Sequence, residues 1–267
     1  MKILNPAVSF DKFFDDLPEY DRKILFLDYD GTLAPFVKDP AKAVPYNGVR
    51  ELLKQLLEET DTRLIIVTGR YTKDIIPLLG MEKIPEIWGS HGLEHLKPDG
   101  TYRVADIKPA ASEGLQKARN LVTEEELKSR LEEKPGCLAL HWRGFEQEQV
   151  AQIRSKYLEL WKNIACTHQL LLKEFDGGLE LRSPGKNKGD AVREVMAGIT
   201  EKKTAAYLGD DATDEDAFSA LKGSGLTILV RKELRKTGAD LWIEPPGELL
   251  DFLHRWLEVC RSGKRVI

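Results

Sequence analysis

The stretch ILFLDYDGTL, residues 24–33, runs from a short apolar segment directly into two aspartates, Asp28 and Asp30, and then a glycine. Four consecutive apolar residues bounded by a turn signal are typical of a strand that is buried in a parallel sheet. Two carboxylates this close together repel each other, so we expect a cation between them. In open parallel sheets the ligand binds at the carboxyl ends of the strands. The stretch therefore predicts a parallel sheet with a ligand site at the end of this strand.

The sequence on both sides of this stretch alternates between strand and helix patterns. In the first part, strands and helices are predicted in turn at KILFLDYD, YNGVRELLKQLLEET, RLIIVTGR, YTKDIIPLL and EIWGSHG. The last part continues with DAVREVMAGI as helix, TAAYLGDD as strand, TDEDAFSAL as helix, LTILV and ADLWIEP as strands, and GELLDFLHRWLEVC as helix. Apolar strands that alternate with helices predict right-handed crossovers and an α/β, Rossmannoid parallel-sheet core.

The middle of the chain follows a different pattern. Helical stretches ASEGLQKARNLV and QEQVAQIRSKYLELW alternate with strand-like CLALHWR, QLLLKEF and GLELRS. Just before them, Asp99-Gly100 in HLKPDGTYRV is a strong hairpin signal. We therefore predict a core in two parts, residues 1–105 and 183–267, with a small α+β domain inserted at residues 106–182.

Composition limits the class of protein. The 267 residues are 42% hydrophobic and 31% charged, which is typical of a chain with a substantial core. A net charge of −4 argues against a nucleic-acid partner, because such proteins carry a basic surface. The three cysteines are few, odd in number and far apart, which indicates free thiols in a reducing compartment. Without a signal-peptide pattern or a long apolar span, we expect a cytoplasmic protein with no membrane partner.

Four separated motifs fall at predicted strand ends or on the helix that follows one. They are Asp28 with Asp30, TGR at residues 68–70, Lys188 in KNKGDA, and GDDATDED with Asp210, Asp211 and Asp214. Each motif alone has an ordinary explanation, since acidic residues that open a helix are favoured by its dipole. Together the carboxylates should converge on one crevice, and an all-oxygen site suits Mg²⁺. A hydroxyl and an ammonium, from Thr68 and Lys188, would add what a phosphoryl group needs.

In this order the motifs resemble the four motifs of the haloacid dehalogenase (HAD) superfamily of phosphotransferases. The resemblance implies a nucleophile, Asp28, and an acid/base, Asp30, assisted by Thr68 and Lys188. It also implies a Mg²⁺ site formed by Asp28, the backbone carbonyl of Asp30, Asp210 and, through a water, Asp214. The predicted insertion lies between the second and third motifs and resembles a C2-type cap domain.

Three further stretches, GSHGLEH, ALHWRGF and GLELRSPGKNKG, are similar to the trehalose-6-phosphate phosphatases, as is GDDATDED. The resemblance implies hydrolysis of trehalose 6-phosphate to trehalose and phosphate through an aspartyl-phosphate intermediate. It implies these substrate-binding residues: Thr68, Gly69, Arg70, His91, Glu94, His141, Arg143, Glu180, Arg182 and Lys188. Two departures stand out: Ser183 precedes Pro184, and VRKELRKTGAD carries bulky charged residues where relatives often have small ones.

The residues of the insertion and their neighbours also have structural explanations. A histidine beside a glycine usually makes structural hydrogen bonds, and we expect His91 to brace a strand end. His141 and Arg143 should share one face of a strand, as should Glu180 and Arg182, and these polar pairs suit sugar hydroxyls. A salt-bridged surface would show the same pattern.

Alternatives remain at this point. Another HAD phosphatase could act on sucrose phosphate or on a glucosyl- or mannosyl-phosphoglycerate, and a phosphomutase is not excluded. A catalytically silent regulatory module would be expected to lack the nucleophile, the acid/base or the lysine, and all are present. The chain is too short to hold a glycosyltransferase domain as well, so a separate trehalose-6-phosphate synthase is the candidate partner.

Overall fold

The computed structural model describes residues 1–175 and 177–262. The strands, β1 to β13 in chain order, are Lys2–Ile3, Arg22–Leu27, Arg63–Val67, Glu86–Gly89, Glu94–Leu96, Tyr102–Val104, Leu131–Lys134, Cys137–His141, Leu171–Phe175, Gly178–Arg182, Lys203–Gly209, Gly225–Val230 and Leu241–Ile243. The helices, α1 to α9, are Phe10–Asp16, Val49–Glu59, Thr72–Leu79, Pro109–Asn120, Glu125–Lys128, Gln147–His168, Lys188–Ala197, Glu215–Leu221 and Gly247–Ser262.

The core is one sheet with the strand order β1-β13-β12-β11-β2-β3-β4-β5-β6 among the described residues. The run from β13 through β4 is parallel, β1 pairs antiparallel with β13, and β5 pairs antiparallel with β4. The prediction of an α/β fold with a parallel-sheet core is confirmed. The predicted hairpin also forms, since Lys97 N–H donates to the Thr101 carbonyl across the turn.

Both faces of this sheet are covered, which explains why its strands are apolar throughout. Leu25 and Leu27 of β2 pack into one hydrophobic cluster together with residues of α2 and α9. Ile24 and Phe26, which point the other way, pack with residues of α7 and α8. Alternate residues of one short strand therefore serve two separate cores.

The order in which successive strands are added to the sheet reverses at its centre. From β2 the chain continues outward to β3 and β4, whereas from β11 it continues the other way to β12 and β13. β2 and β11 are neighbours, with Leu27 opposite Leu208. Residues that follow these two strands meet at a topological switch point, where open α/β sheets bind their ligands.

The chain divides into two compact units, one formed by residues 1–103 with those from 186 onward, the other by residues 104–185. The second unit has an antiparallel sheet with the order β7-β8-β10-β9 and its own apolar core, in which Trp142, Tyr157 and Trp161 are buried. None of the helices in the described residues is long and apolar enough to span a membrane.

Several elements differ from the sequence-based prediction. β7, with the sequence LEEK, was not predicted, because its charged residues hide the strand pattern. The predicted strand that carries both His141 and Arg143 is wrong at its end, since β8 stops at His141. Gly144 then adopts a φ of +90°, and this turn takes Arg143 off the strand. The N-terminal α1 was also missed, although Ser9 caps it by accepting a hydrogen bond from Lys12 N–H.

The two residues at which the chain leaves and re-enters the core both bind the side chain of Glu194. Arg103 is the last residue of the first core segment and Lys186 the first of the second. Both donate to the carboxylate of Glu194 on α7, Lys186 at 2.9 Å. Arg103 also donates to His95 Nδ1 at 3.0 Å. The chain therefore leaves and re-enters the core at neighbouring points.

Candidate active site

Three buried carboxylates lie together at the switch point. Asp28 follows β2, Asp210 follows β11, and Asp214 ends the short 3₁₀ turn before α8. One oxygen of each lies within 4.8 Å of the others, and none of the three residues is more than 3% exposed. Burial raises the pKa of Asp28 well above its usual range, and the neighbouring carboxylates add to this while Lys188 opposes it. The arrangement therefore places three carboxyl groups close together and away from water.

Lys188 is the cation inside this cluster. Its Nζ donates to Asp28 Oδ1 at 2.6 Å and to Asp214 Oδ1 at 2.8 Å, and the residue is 3% exposed. Burial alone would lower the pKa of this ammonium, but the two carboxylates raise it above its usual range. Asn187 fixes the position by capping α7, since its side chain accepts from Asp190 N–H and its own N–H donates back to Asp190. The sequence-predicted lysine is therefore brought to the nucleophile.

Asp214 uses its oxygens on partners within the protein. Oδ1 accepts from Tyr207 O–H at 2.7 Å as well as from Lys188. Oδ2 accepts from the N–H groups of Asp210 and Asp211, both at 3.0 Å. A carboxylate has about four acceptor sites, so these four donors occupy them. The contacts give Asp214 a structural role, and its role as a water-mediated metal ligand stays a prediction.

Asp210 has the opposite environment. In the part of the chain that the structure describes, no group donates a hydrogen bond to its carboxylate, although the residue is 3% exposed. Burial, together with the charges of Asp214 and Asp211, raises its pKa to about 7. A buried carboxylate without a donor is costly unless a cation pairs with it. The donor set of Asp28 and Asp210 therefore fits a hard divalent cation such as Mg²⁺.

The structure explains why the opening motif has a glycine at position 31. Its φ is +83°, which favours glycine, and a Cβ atom there would lie 2.2 Å from Asp210 Oδ2. Any side chain at this position would displace the Asp210 carboxylate. The motif therefore needs a glycine both for its turn and for the space beside Asp210.

The carboxylate of Asp30 is bound by Arg70. Arg70 donates from Nε and Nη2 to the two oxygens of Asp30, at 2.7 and 2.6 Å, and from Nη1 to the Pro40 carbonyl at 2.8 Å. Asp30 is not in the group of carboxylates that lie within 4.8 Å of one another, and its place in the same crevice stays a prediction. The ion pair was missed from the sequence, although the two residues follow the adjacent strands β2 and β3.

Thr68 lies at the end of β3 and is fully buried. Its Oγ1 accepts from Arg70 N–H at 3.1 Å, which leaves its own hydroxyl hydrogen available to a ligand. His91 donates from its backbone N–H to the Thr68 carbonyl at 2.9 Å. The His91 ring lies over Gly69, where a Cβ atom would be 2.7 Å from the ring. This is the position expected of a residue that braces the strand end.

Glu94 is fully buried, and its carboxylate is used by the protein itself. It accepts from Ser90 Oγ at 2.5 Å, from Thr72 N–H at 3.2 Å and from Tyr102 O–H at 2.8 Å. These three donors leave one acceptor site, on Oε1, for a sugar hydroxyl. The contacts favour a role in fixing the loop after β4, and the substrate-binding role stays a prediction.

The remaining predicted residues lie in the second unit. Leu179 and Leu181 of β10 enter its apolar core, so Glu180 and Arg182 lie on the other face of the sheet, beside Ala139 and Cys137 of β8. His141, at the end of β8, shares that face. Glu180 is half-buried there, whereas Arg143 lies in the following turn and packs over Gly177.

His141 is already engaged on this face. Its Nε2 lies 3.0 Å from Glu132 Oε2, and this hydrogen bond is the main reason that the pKa of Glu132 falls to about 2. Lys134 also forms an ion pair with Glu132, with Nζ at 2.9 Å from Oε1. The salt-bridged surface that the sequence left open as an alternative is therefore present around His141.

Comparison with known proteins gives a consistent family. The sequence profile of the trehalose-phosphatase family matches residues 26–239. A trehalose-phosphate phosphatase of Mycobacterium marinum is 31% identical over 88% of this chain, and a trehalose 6-phosphate phosphatase of Zea mays is 31% identical over 87%. The matches span 61% and 69% of those two proteins. The trehalose-6-phosphate phosphatase C-terminal domain of C. albicans shares the fold, with a TM-score of 0.72, 22% identity, and coverage of 97% of this chain and 99% of that one. The chain belongs to the trehalose-phosphatase family.

Proposed function

We propose that this protein is a Mg²⁺-dependent phosphatase that hydrolyses trehalose 6-phosphate to trehalose and phosphate. The observation that carries the proposal is the buried group of Asp28, Lys188 and Asp210 at the switch point of the sheet. Membership of the trehalose-phosphatase family supports the choice of substrate. A regulatory module without activity would be expected to lack the nucleophile, the acid/base or the lysine, and this chain has Asp28, Asp30 and Lys188.

The cation would be held by Asp28, Asp210 and the backbone carbonyl of Asp30. When bound, Mg²⁺ supplies positive charge that neutralises the carboxylates and polarises the phosphoryl oxygens. With all groups ionised, Asp28, Asp210, Asp214 and Lys188 together carry two net negative charges, three carboxylates against one ammonium. A substrate phosphate, at about −1.5 to −2, could not approach this site without such a cation.

The chemistry falls to Asp28 and Asp30. An Asp28 oxygen attacks phosphorus, so that the acyl phosphate bond forms while the bond from phosphorus to the sugar oxygen breaks. Asp30 gives a proton to the departing sugar oxygen and then takes one from the water that hydrolyses the aspartyl phosphate. Arg70 takes one acceptor site on each oxygen of Asp30, so the second site on each oxygen is open to the proton that is transferred.

Phosphate binding falls to Lys188 and Thr68. The Lys188 ammonium orients Asp28 through the 2.6 Å hydrogen bond and offsets charge on the phosphoryl oxygens. The free hydroxyl hydrogen of Thr68 donates to the same group. Thr68 follows β3 and Lys188 begins α7, and the fold places both residues near the carboxyl end of β2.

Sugar recognition falls to the inserted unit. Glu180, Arg182, His141 and Arg143 offer acceptors and donors for sugar hydroxyls, and a site that pairs with hydroxyls discriminates strongly against analogues without them. The half-buried carboxylate of Glu180 is the strongest candidate, because His141 is partly committed to Glu132.

We place the enzyme in the cytoplasm, supplied with substrate by a separate trehalose-6-phosphate synthase. The three cysteines are unpaired in the described residues, which supports a reducing compartment.

The test compares Asp28→Asn with Asp21→Asn in phosphate release from a panel of sugar phosphates. Asp21 is an exposed residue just before β2, and Asp28 lies directly after it, so the two variants remove one carboxylate from opposite ends of the same strand. Asp28→Asn should keep its circular dichroism spectrum and lose turnover, whereas Asp21→Asn should match wild type. EDTA should silence wild type, and added Mg²⁺ should restore it.

Different results would remove different parts of the proposal. Full turnover by Asp28→Asn would exclude it as the nucleophile, and undiminished activity after thorough chelation would exclude the metal. Rapid phosphate release from sucrose phosphate or a glucosyl-phosphoglycerate, with none from trehalose 6-phosphate, would keep the chemistry and change the substrate.

A further inference from the structure

The segment between β12 and β13, which carries the unusual charged residues VRKELRKTGAD, sends one arginine to the acidic loop after β11. Arg235 donates from Nε to the Asp210 carbonyl at 3.2 Å and from Nη2 to the Asp211 carbonyl at 2.6 Å. Its Nη1 donates to Glu215 at 2.5 Å and to the Lys236 carbonyl at 2.8 Å. The guanidinium is therefore held by its own segment on one side and bonds two successive carbonyls on the other.

These contacts restrain one peptide group at both of its ends. The peptide between Asp210 and Asp211 has its carbonyl on Arg235 and its N–H on Asp214 Oδ2, at 3.0 Å. Fixing the plane of this peptide fixes the backbone beside Asp210, and with it the direction in which the Asp210 side chain leaves. Arg231 reaches the same carbonyl only at 3.5 Å, too far to replace Arg235.

The Asp210 side chain depends on this backbone restraint because it has no other. No described group donates a hydrogen bond to its carboxylate. The orientation of the Asp210 side chain is therefore set by the backbone on either side of it and by the close approach of Gly31. A guanidinium suits the task, since its planar fork presents several donors at fixed angles to two carbonyls. Lysine offers a point charge on a flexible stem and would hold one carbonyl at a time.

We infer that Arg235 is a positioning residue for the cation site, which holds the Asp210 carboxylate at the angle needed to bind Mg²⁺. The inference rests on the proposed metal-dependent function and adds a residue from outside the four motifs. It gives one residue of the bulky charged segment a function, because Arg235 supports the metal loop from its carbonyl side. Outer partners of metal ligands typically change metal affinity by about 10- to 100-fold when removed.

The experiment measures Mg²⁺ binding directly, by isothermal titration calorimetry of the full chain with MgCl₂. Arg235→Met should raise the Kd for Mg²⁺ by about 10- to 100-fold. Arg235→Lys should fall between Arg235→Met and wild type. Lys236→Met removes the same charge from the same segment, and its backbone carbonyl remains to bond Arg235, so it should bind Mg²⁺ as wild type does. In phosphate-release assays, kcat of Arg235→Met should recover toward the wild-type value as Mg²⁺ is raised to saturation.

Two outcomes would overturn the inference: a wild-type Kd in folded Arg235→Met, or an equal loss of affinity in Lys236→Met. A kcat that stays low at saturating Mg²⁺ while the Kd is unchanged would also overturn it. If Arg235→Met does not fold, the comparison of Arg235→Lys with Lys236→Met decides. Failure of the proposed function is distinguishable, because wild type itself would then bind no Mg²⁺ or release no phosphate.

Discussion

Replacing Lys188 with methionine tests the electrostatics of the site most directly. The change keeps a long side chain but removes the ammonium that donates to Asp28 Oδ1 and Asp214 Oδ1. Two buried carboxylates then lose their cation. Lys186→Met is the matched control, because Lys186 pairs with Glu194 at a site where both side chains are about one-third exposed.

The magnitude follows from burial. Removing one partner from a buried ion pair costs about 3–5 kcal/mol, so Lys188→Met should lower the free energy of unfolding by that order in metal-free buffer. A surface pair contributes about 0–1 kcal/mol, so Lys186→Met should change little. In catalysis, a charge-assisted hydrogen bond contributes about 1.5–3 kcal/mol. At about 1.4 kcal/mol per tenfold, Lys188→Met should lose roughly 10- to 150-fold in kcat/KM.

Urea unfolding in EDTA gives the first quantity, and phosphate release from trehalose 6-phosphate gives the second. Thr68→Val adds a calibration: it removes one neutral donor, worth about 1 kcal/mol, and should lose only about 5-fold in kcat/KM. Mg²⁺ binding should persist in Lys188→Met, because the pocket becomes more negative. Equal, small losses for Lys188→Met and Thr68→Val would show that the ammonium does not contact the transferring phosphoryl group. Equal stability losses for Lys188→Met and Lys186→Met would refute the burial argument.

The remaining predictions concern the sugar site and the pH range of stability. Glu180→Ala should lower kcat/KM for trehalose 6-phosphate by about ten- to a thousandfold. Hydrolysis of p-nitrophenyl phosphate should stay near wild type, since this small ester has no sugar hydroxyls to bind. Parallel losses on both substrates would exclude Glu180 as a specificity residue. Burial alone would raise the pKa of Glu86, but hydrogen bonds from His95, Arg63 and Trp88 hold it at about 2, below its ordinary 4.5. Its contribution to stability is therefore present above about pH 4.5 and is lost as the pH falls toward 2, by up to about 3 kcal/mol. Urea unfolding between pH 6 and pH 3 should show a steeper decline for wild type than for Glu86→Gln, and identical slopes would contradict the assignment.

The sheet was predictable because its signal is local and repeated. ILFL and LIIV are buried on both faces, so each strand is marked by a continuous apolar run, and the motif residues follow from where those runs end. β7 escaped detection because Glu132 and Lys134 lie on the face of the second sheet that is not packed against its apolar core. A strand with one polar face and a short length has too few apolar residues to stand out.

The partners inside the site were not predictable in the same way. Arg70 bonds Asp30 across 40 residues, and Arg235 bonds the Asp210 carbonyl across 25 residues. Such pairs depend on how loops leave neighbouring strands, which residue periodicity does not encode. The family resemblance identified Asp214 by its motif, but only the four donors around its carboxylate indicate that it holds the loop and the lysine together.

The two junctions that meet on Glu194 have a consequence for how such a chain can change over time. Arg103 and Lys186 reach the same carboxylate, so the ends of the interruption lie within the span of two side chains. The intervening segment has its own sheet and its own apolar interior. Its two ends can therefore stay in place while the segment between them changes in length or sequence, and the strands that carry the aspartates need not move.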